Sequence, residues 1–298
     1  MPGVSSLDQA ASVLAAAHAE GRRVRLGDDL TTEGLDRILE HEPGDLTCTV
    51  EAGMRLSALN EALAVYGQRL SLDPPGDPTI GALLAENGSG PLRHRFGGPR
   101  DLVLGVTLVL GDGTVASAGG KVVKNVAGYD LGRLVCGSRG RLALIARACF
   151  RLHPLPKATR TLVIETDYPA GVARILLRAQ LQPSALDVLH PGRVALLFEG
   201  SERAVDAQAR TAMSLVGEGD ANPVVWTEIR RRQGEARGRI RFDPGRLAET
   251  LSGLDEAIAR PASGIAYVPD AVEAEQPDGA QLLNEAIRRA FDPSGVFA

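Results

Sequence analysis

Two of the three lysines in this 298-residue chain lie in one short connection, Gly120 to Leu131. The chain has 33 lysines and arginines, so arginine is used almost everywhere else. The glycine turn Gly137-Ser138-Arg139-Gly140 follows the connection closely. Lysine is a compact, strongly hydrated point charge, whereas arginine is a planar fork. Lys121 and Lys124 therefore indicate either a ligand or a tight structural turn rather than a solvated face.

Length, charge and cysteine content exclude several classes of protein. A chain of this length corresponds to roughly two domains of ~150 residues. The net charge is −4, and no basic stripe with interleaved aromatic residues occurs, which argues against a nucleic-acid partner. Cys48, Cys136 and Cys149 are widely spaced and form no CxxC pair, so we expect no metal site. The sequence shows no signal peptide and no membrane span, which predicts a cytoplasmic protein.

Apolar periodicity and turn signals predict an α+β fold with a boundary near residue 155. Residues 153–156 read His-Pro-Leu-Pro and break the chain. In the first part the pattern predicts helices over 6–20, 35–39 and 56–66, and strands over 24–26, 46–50, 101–110, 114–117 and 142–152. In the second part it predicts strands over 160–165, 185–188, 193–199, 239–242 and 264–268, and helices over 168–180, 204–216 and 280–290.

The second part has the element order of a small α+β layer. Strand, helix, strand, strand and helix follow one another, which is typical of an antiparallel sheet with helices on one face. The densest cluster of charges, residues 228–241, is rich in arginine but includes Glu235. We expect this cluster to be a solvated helix face and loop.

Glycine-bearing turns in the first part indicate a nucleotide site. Thr79-Ile80-Gly81 opens a short helix, and Asn87-Gly88-Ser89-Gly90 and Gly97-Gly98 follow it. Main-chain N–H groups at such turns and at helix starts hold phosphate oxygens. Together with Gly137 to Gly140, these turns fit a dinucleotide, although glycine-rich loops of a mixed sheet would give the same pattern. The chain has neither a GxGxxG motif after its first strand nor a P-loop.

Several of these segments resemble one family of flavoproteins. They are Asp73-Pro74-Pro75, Thr79-Ile80-Gly81, Ser89-Gly90-Pro91, Arg100 to Gly105, Lys124 to Asp130, Gly137 to Gly140, Phe198 to Ser201 and the terminal Phe291 to Phe297. The sequence is similar over most of its length to proteins with the FAD-binding fold of the p-cresol methylhydroxylase and vanillyl-alcohol oxidase type. Within that family it resembles the smaller, FAD-binding subunits of bacterial glycolate oxidases.

The resemblance implies a two-part FAD-binding domain over residues 1–155, a small α+β cap domain over 156–275, and a C-terminal helix over 276–298 that returns to the first domain. It implies FAD as cofactor, oxidation of glycolate to glyoxylate, and two partners, a larger catalytic flavoprotein subunit and an iron–sulfur subunit. Through that complex the protein could reach the inner membrane. The implied cofactor-binding residues are Pro75, Thr79, Ile80, Gly81, Ser89, Gly90, Asp101, Lys124, Tyr129, Gly137, Ser138, Gly140 and Ile145.

The sequence departs from the family pattern at the first phosphate loop. Asp28 and Asp29 stand where the family has a glycine- and serine-rich turn, and carboxylates there would repel a diphosphate. Ala82 and Ala143 also replace family glycines. A cofactor-free structural subunit with a degenerate FAD site is therefore an alternative. A stand-alone flavin reductase, like the enolpyruvyl-sugar reductase of cell-wall synthesis, is a third.

Catalytic residues cannot be named from the sequence. Flavin-dependent oxidation of a 2-hydroxy acid needs a base near the hydroxyl and a cation for the carboxylate. The cap shows no His-Xaa-His element that would supply the base. Lys124, Arg93 and Arg95 are the best candidates for an anion clamp, and solvent-exposed charge explains them equally well.

Overall fold

A computed structural model of the protein describes residues 3–120, 130–272 and 279–298. Two antiparallel sheets lie on either side of residue 155, where the sequence predicts a domain boundary. The α+β fold class is therefore confirmed, whereas the exact division into domains stays a prediction. Lys121, Lys124 and Tyr129 lie outside the described residues.

The first part of the chain is built around a five-stranded sheet. The first part of the chain contains seven strands among the described residues: β1 (Ile38–Glu42), β2 (Thr47–Glu51), β3 (Gln68–Arg69), β4 (Val103–Val109), β5 (Val115–Gly119), β6 (Leu144–Arg151) and β7 (His153–Pro154). Its helices are α1 (Leu7–Ala19), α2 (Leu56–Ala64), α3 (Ile80–Glu86), α4 (Arg93–Phe96), α5 (Pro99–Leu102) and α6 (Leu131–Val135). The large sheet has the order β1-β2-β6-β4-β5, and β3 pairs with β7 separately.

Apolar side chains cover both faces of this sheet. Leu59, Leu83 and Phe150 belong to a core between the sheet, α2 and α3. On the other side Leu14 of α1 packs with Leu144 and with Phe297 near the end of the chain. Strands β4 and β6 have near-continuous apolar runs because they lie inside the sheet and are buried on both faces.

The second part is built around a six-stranded sheet. Its strands are β8 (Ala158–Glu165), β9 (Ala185–His190), β10 (Arg193–Gly200), β11 (Gly238–Arg241), β12 (Ala257–Arg260) and β13 (Ile265–Val268). Its helices are α7 (Pro169–Arg178), α8 (Glu202–Val216), α9 (Val225–Glu235) and α10 (Leu247–Ser252), and the later α11 spans Ala280–Phe291. The order of the strands is β11-β13-β12-β9-β10-β8.

Helices cover both faces of the second sheet, so the predicted one-sided layer is wrong. Side chains of α7, α8 and α10 form one core with the sheet. On the opposite face Val225, Trp226 and Ile229 of α9 pack against Ile258. The charged cluster after residue 228 therefore starts on a helix whose apolar side is buried, and it is not simply a solvated face.

Most predicted elements are present, and two in the first part are wrong. The predicted helix over 35–39 is replaced by β1, whose backbone pairs with β2 from Ile38 to Glu42. Residues 24–26 make only isolated bridges, from Val24 to Phe297 and from Leu26 to Leu30. Strand β12 was not predicted, since its sequence Ala-Ile-Ala-Arg is too short to show alternation. No helix among the described residues is long and apolar enough to cross a membrane.

The end of the chain lies against the first sheet. The N–H of Val24 donates to the carbonyl of Val296, and the N–H of Ala298 donates to the carbonyl of Val24. Asp292 accepts hydrogen bonds from the main-chain N–H groups of Val296 and Phe297, both at 2.8 Å. Phe297 is fully buried.

Candidate functional site: a cleft beside the first sheet

A cleft of about 260 Å³ opens beside the first residues of β6 in the first sheet. Three segments form it: the loop from Leu26 to Glu33, one side of α3, and residues 140–145. Four of the predicted cofactor-binding residues line this cleft, namely Thr79, Gly81, Gly140 and Ile145. Distant segments of the sequence therefore meet at one concave site, which is the usual setting of a ligand.

The start of α3 does not supply free amides to this cleft. The N–H of Ile80 donates to the carbonyl of Met54, and the N–H of Gly81 donates to the carbonyl of Ala52. The N–H of Ala82 donates to the hydroxyl of Thr79, at 3.3 Å. These bonds fix α3 against the turn after β2. Ile80 is fully buried, so its side chain belongs to the core.

Unpaired amides come instead from two other segments of the cleft. Among the described residues, the main-chain N–H groups of Thr32, Glu33 and Gly140 donate to no protein acceptor. Gly140 has φ +73°, a conformation that favours glycine. The preceding residue, Arg139, donates its main-chain N–H to the carbonyl of Ala85, which anchors this turn to α3. Thr31 adds a hydroxyl to the same lining. These donors suit the oxygens of a diphosphate.

The adjacent aspartates do not line the cleft. The carbonyl of Arg25 accepts from the N–H groups of Asp28 and Asp29, which closes a compact turn. Asp29 in turn accepts from the N–H of Arg25 at 2.9 Å, and this hydrogen bond holds the pKa of its carboxyl below the ordinary value. The two side chains are 69% and 42% exposed. Any repulsion between these two carboxylates and a diphosphate therefore acts from outside the cleft.

Two other carboxylates do line it, and each lies near an arginine. Glu33 is 3.8 Å from Arg55, and Glu86 is 3.6 Å from Arg139. Both pairs are exposed, so each is worth less than about 1 kcal/mol. In each pair the arginine partly offsets the carboxylate, so an anionic ligand in the cleft meets less negative charge than Glu33 and Glu86 alone would present.

A second feature lies just outside the cleft lining, where two buried polar atoms have no partners among the described residues. The side-chain oxygens of Asn87 and Ser138 are buried and, within the described residues, form no hydrogen bond. A side chain at Gly137 would lie 3.7 Å from Cβ of Asn87, so the two segments are neighbours. Buried polar groups are nearly always satisfied, which makes this pair a natural contact for a bound polar group. The residues present therefore fit a dinucleotide cofactor.

Ser89 and Gly90 lie away from the cleft lining, at the junction between the two sheets. The carbonyl of Ser89 accepts from the side-chain amide of Gln233 at 2.8 Å and from Arg260 at 3.4 Å. A Cβ atom at Gly90 would lie 1.8 Å from the carbonyl oxygen of Asp73, so only glycine fits there. The loop is thus fixed by both parts of the chain.

Arg260 is the centre of this junction and is 1% exposed. Its Nε donates to Asp187 at 3.2 Å, one Nη donates to Gln233 at 2.5 Å, and the guanidinium lies 5.1 Å from the ring centre of Tyr267. Burial raises the pKa of Asp187, and Arg260 opposes that rise. The sequence did not indicate this network.

Asp73 closes the junction from the first part of the chain. It accepts from the N–H of Leu92 at 3.0 Å and lies 3.8 Å from Arg230 of α9. Burial raises its pKa to about 7, although Leu92, Arg260 and Arg230 all act in the opposite direction. The carboxyl therefore titrates in the neutral range of pH rather than in the acidic range.

The remaining predicted residues occupy separate positions. Pro75 lies against α9, where a Cβ at Gly234 would approach it to 3.1 Å. Asp101 is exposed and accepts from the N–H of Gly98 at 2.8 Å, which caps α5. Of the expected anion clamp, Arg93 donates to the hydroxyl of Ser89 at 3.3 Å, whereas Arg95 lies by Glu199. Gly137 and Ser138 face a different groove, which runs along α11.

Comparison with known proteins agrees with this geometry. Residues 29–119 match the family described as FAD binding domain. The chain is 33% identical over 218 residues to glycolate oxidase subunit GlcE of Escherichia coli, covering 70% of this chain and 61% of that protein. It is 30% identical over 190 residues to glycolate oxidase subunit GlcD of Bacillus subtilis, covering 62% of this chain and 40% of that protein.

The chain thus spans less than two thirds of the length of either of these curated relatives. Among solved structures, an alkyldihydroxyacetonephosphate synthase matches with a TM-score of 0.76 over 99% of this chain and 75% of that one. At 14% identity this likeness concerns the fold alone. The cleft, the family match and the relatives agree, and residues 29–119 belong to the family described as FAD binding domain.

Proposed function

We propose that this chain is the FAD-binding accessory subunit of an enzyme that oxidises a 2-hydroxy acid, with glycolate as substrate and glyoxylate as product. Its partners would be a larger catalytic flavoprotein and an iron–sulfur subunit. The observation that carries the proposal is the cleft with free amides at Thr32, Glu33 and Gly140. Two relatives whose names are those of glycolate oxidase subunits support the substrate.

The residues of the cleft would divide the work of holding the cofactor. The free amides and the hydroxyls of Thr31 and Thr79 would hold the diphosphate, and the apolar wall around Ile145 would face the adenine end. Residues 1–155 would form the FAD-binding domain and 156–275 the cap. When bound, FAD supplies a ring system that accepts electrons from a substrate.

The junction favours an accessory role over independent catalysis. Arg260 donates to both Asp187 and Gln233, and Gln233 donates to the carbonyl of Ser89. A side chain with such partners positions a loop, and a general base needs access to the proton it removes. We therefore assign the electron-transfer partner and the substrate base to the larger subunit.

The cofactor part is tested by the visible spectrum of the purified chain after FAD is added and free FAD removed. We expect a retained flavin band. Ala82→Phe places a ring in the cleft from an exposed helix position and should weaken FAD binding by roughly 100-fold. Ala62→Phe, at an exposed position of α2, is the matched control and should bind normally. A chain that retains no flavin, or two variants with equal affinity, would contradict the cofactor assignment.

The partner part needs a separate measurement. The chain is co-expressed with a larger glycolate-oxidase-type flavoprotein and an iron–sulfur protein from the same organism, and affinity purification should recover all three with glycolate-dependent dye reduction. Recovery of this chain alone would remove the partner assignment while leaving the FAD result intact. Turnover of glycolate by the isolated chain would overturn the accessory role.

A further inference from the structure

A second cavity, of about 460 Å³, lies between the two parts of the chain and is separate from the FAD cleft. We name it the Phe96 cavity, and its lining includes Arg69, Arg95, Phe96, His153, Lys157 and Glu199. Strands β3 and β7 contribute one wall, α4 a second, and the end of β10 a third. None of these residues takes part in the site described above.

The charge of the Phe96 cavity is strongly positive. Three cationic side chains, those of Arg69, Arg95 and Lys157, face one carboxylate, that of Glu199. Arg69 holds both oxygens of this carboxylate, at 2.9 and 2.6 Å, so the charge of Glu199 is already matched. The Nε of Arg69 is buried and has no acceptor among the described residues. Two cationic charges therefore remain uncompensated in the lining.

The cations are held in place by packing. The guanidinium groups of Arg69 and Arg95 lie 5.3 and 5.6 Å from the ring centre of Phe96. Such contacts orient a guanidinium without neutralising it. Arg95 also donates to the carbonyl of Glu199, at 3.4 Å. Lys157 is exposed at the mouth of the cavity and can reach a ligand with its flexible stem.

Uncharged polar groups complete the lining. Desolvation, with Arg151, Arg69 and Arg95 nearby, lowers the pKa of His153 to about 4, so its imidazole is neutral at pH 7. Its buried Nδ1 has no partner within the described residues. Helix α8, with 15 residues, starts at the cavity, since its N-cap Ser201 is part of the lining. The N-terminus of a helix favours an anion.

We propose that the Phe96 cavity binds a phosphate group, either free phosphate or a small phosphate monoester. Arg95, Lys157 and the N-terminus of α8 form the kind of set that recognises a phosphate dianion. A cation would be repelled by the two uncompensated charges, and an apolar ligand would cover them without giving them a partner.

The test is isothermal titration of the full chain with inorganic phosphate in a chloride buffer of constant ionic strength. We expect saturable binding of one phosphate per chain. The double variant Arg95→Gln/Lys157→Gln should weaken it at least about tenfold, since two charge-assisted contacts are lost. The matched control Arg174→Gln/Arg178→Gln removes two exposed arginines of α7 and should bind like the wild type.

Two further arms sharpen the result. Glycerol 3-phosphate replaces inorganic phosphate, and tighter binding of the ester would identify a monoester as the ligand. The Ala82→Phe variant should bind phosphate normally, which separates this site from the FAD cleft. Heat signals no larger than those of added chloride would overturn the proposal, as would equal losses in both double variants. Thermal melting of each variant shows that the fold is kept.

Discussion

The FAD cleft and the Arg260 junction use opposite means to build a site. The cleft is formed by main-chain amides, hydroxyls and exposed ion pairs, and its charged side chains lie at the rim. The junction is formed by long polar side chains with almost no access to solvent, such as Arg260 at 1% and Asp187 at 0% exposure. We expect the cleft to tolerate changes in the charge of its side chains, whereas the junction should lose stability when any one of its hydrogen-bond partners is removed.

The largest expected effect is the loss of stability on breaking the junction. Arg260→Met leaves the buried carboxylate of Asp187 without its cation and the carbonyl of Ser89 with one donor fewer. Removal of one partner of a buried ion pair costs about 3–5 kcal/mol. We expect a decrease of this size in the free energy of unfolding, measured by urea denaturation. The control Arg241→Met alters an exposed arginine of β11, which β13 separates from β12, and it should cost less than about 1 kcal/mol.

A decrease of under 1 kcal/mol for Arg260→Met would mean that the junction is as tolerant as the cleft. The double variant Arg260→Met/Asp187→Leu sharpens the comparison, because it removes both charges together. It should recover part of the loss, since replacing a buried pair by apolar side chains is often close to neutral.

A smaller effect is expected from the titration of Asp73. Its folded pKa of about 7 lies above the ordinary value of 3.8, because of burial. The folded state therefore binds the proton more tightly, and this contribution to stability is present at low pH and is lost as pH rises through 7. Asp73→Asn keeps an acceptor for the N–H of Leu92 and cannot titrate.

The measurement is the free energy of unfolding of both proteins from pH 5 to pH 8. The wild type should lose about 2 kcal/mol relative to Asp73→Asn over this range. The variant Asp167→Asn changes an exposed carboxylate and serves as the charge-matched control. Parallel curves for the wild type and Asp73→Asn would show that Arg230 and Arg260 fully offset the burial of Asp73.

The two sites also differ in how far the sequence predicts them. Gly81, Gly140 and Ile145 were predicted and do line the cleft, because glycine turns and a buried strand are local features. Thr32 and Glu33 were missed, since their contribution is an N–H group that any residue other than proline carries. Arg260 contacts Ser89 across 171 residues, and no local pattern in the sequence indicates such a pair.

The smallest effect concerns the acidic pair that distinguishes this sequence from its family. Asp28→Asn/Asp29→Asn should change the dissociation constant of FAD by less than about threefold. The two carboxylates are exposed, lie next to Arg25 and are not part of the cleft lining, and charges in solvent are screened over ~10 Å at 0.1 M salt.

Glu33→Gln is the informative partner of that experiment, because Glu33 lines the cleft and Asp28 and Asp29 do not. Removing its charge should tighten FAD binding by about three- to tenfold at low salt, and the gain should shrink as salt is raised. A larger gain for the double aspartate variant than for Glu33→Gln would place the acidic pair against the diphosphate. In that case the turn at Arg25 would have to open when the cofactor binds, and the cleft would share the junction's dependence on particular side chains.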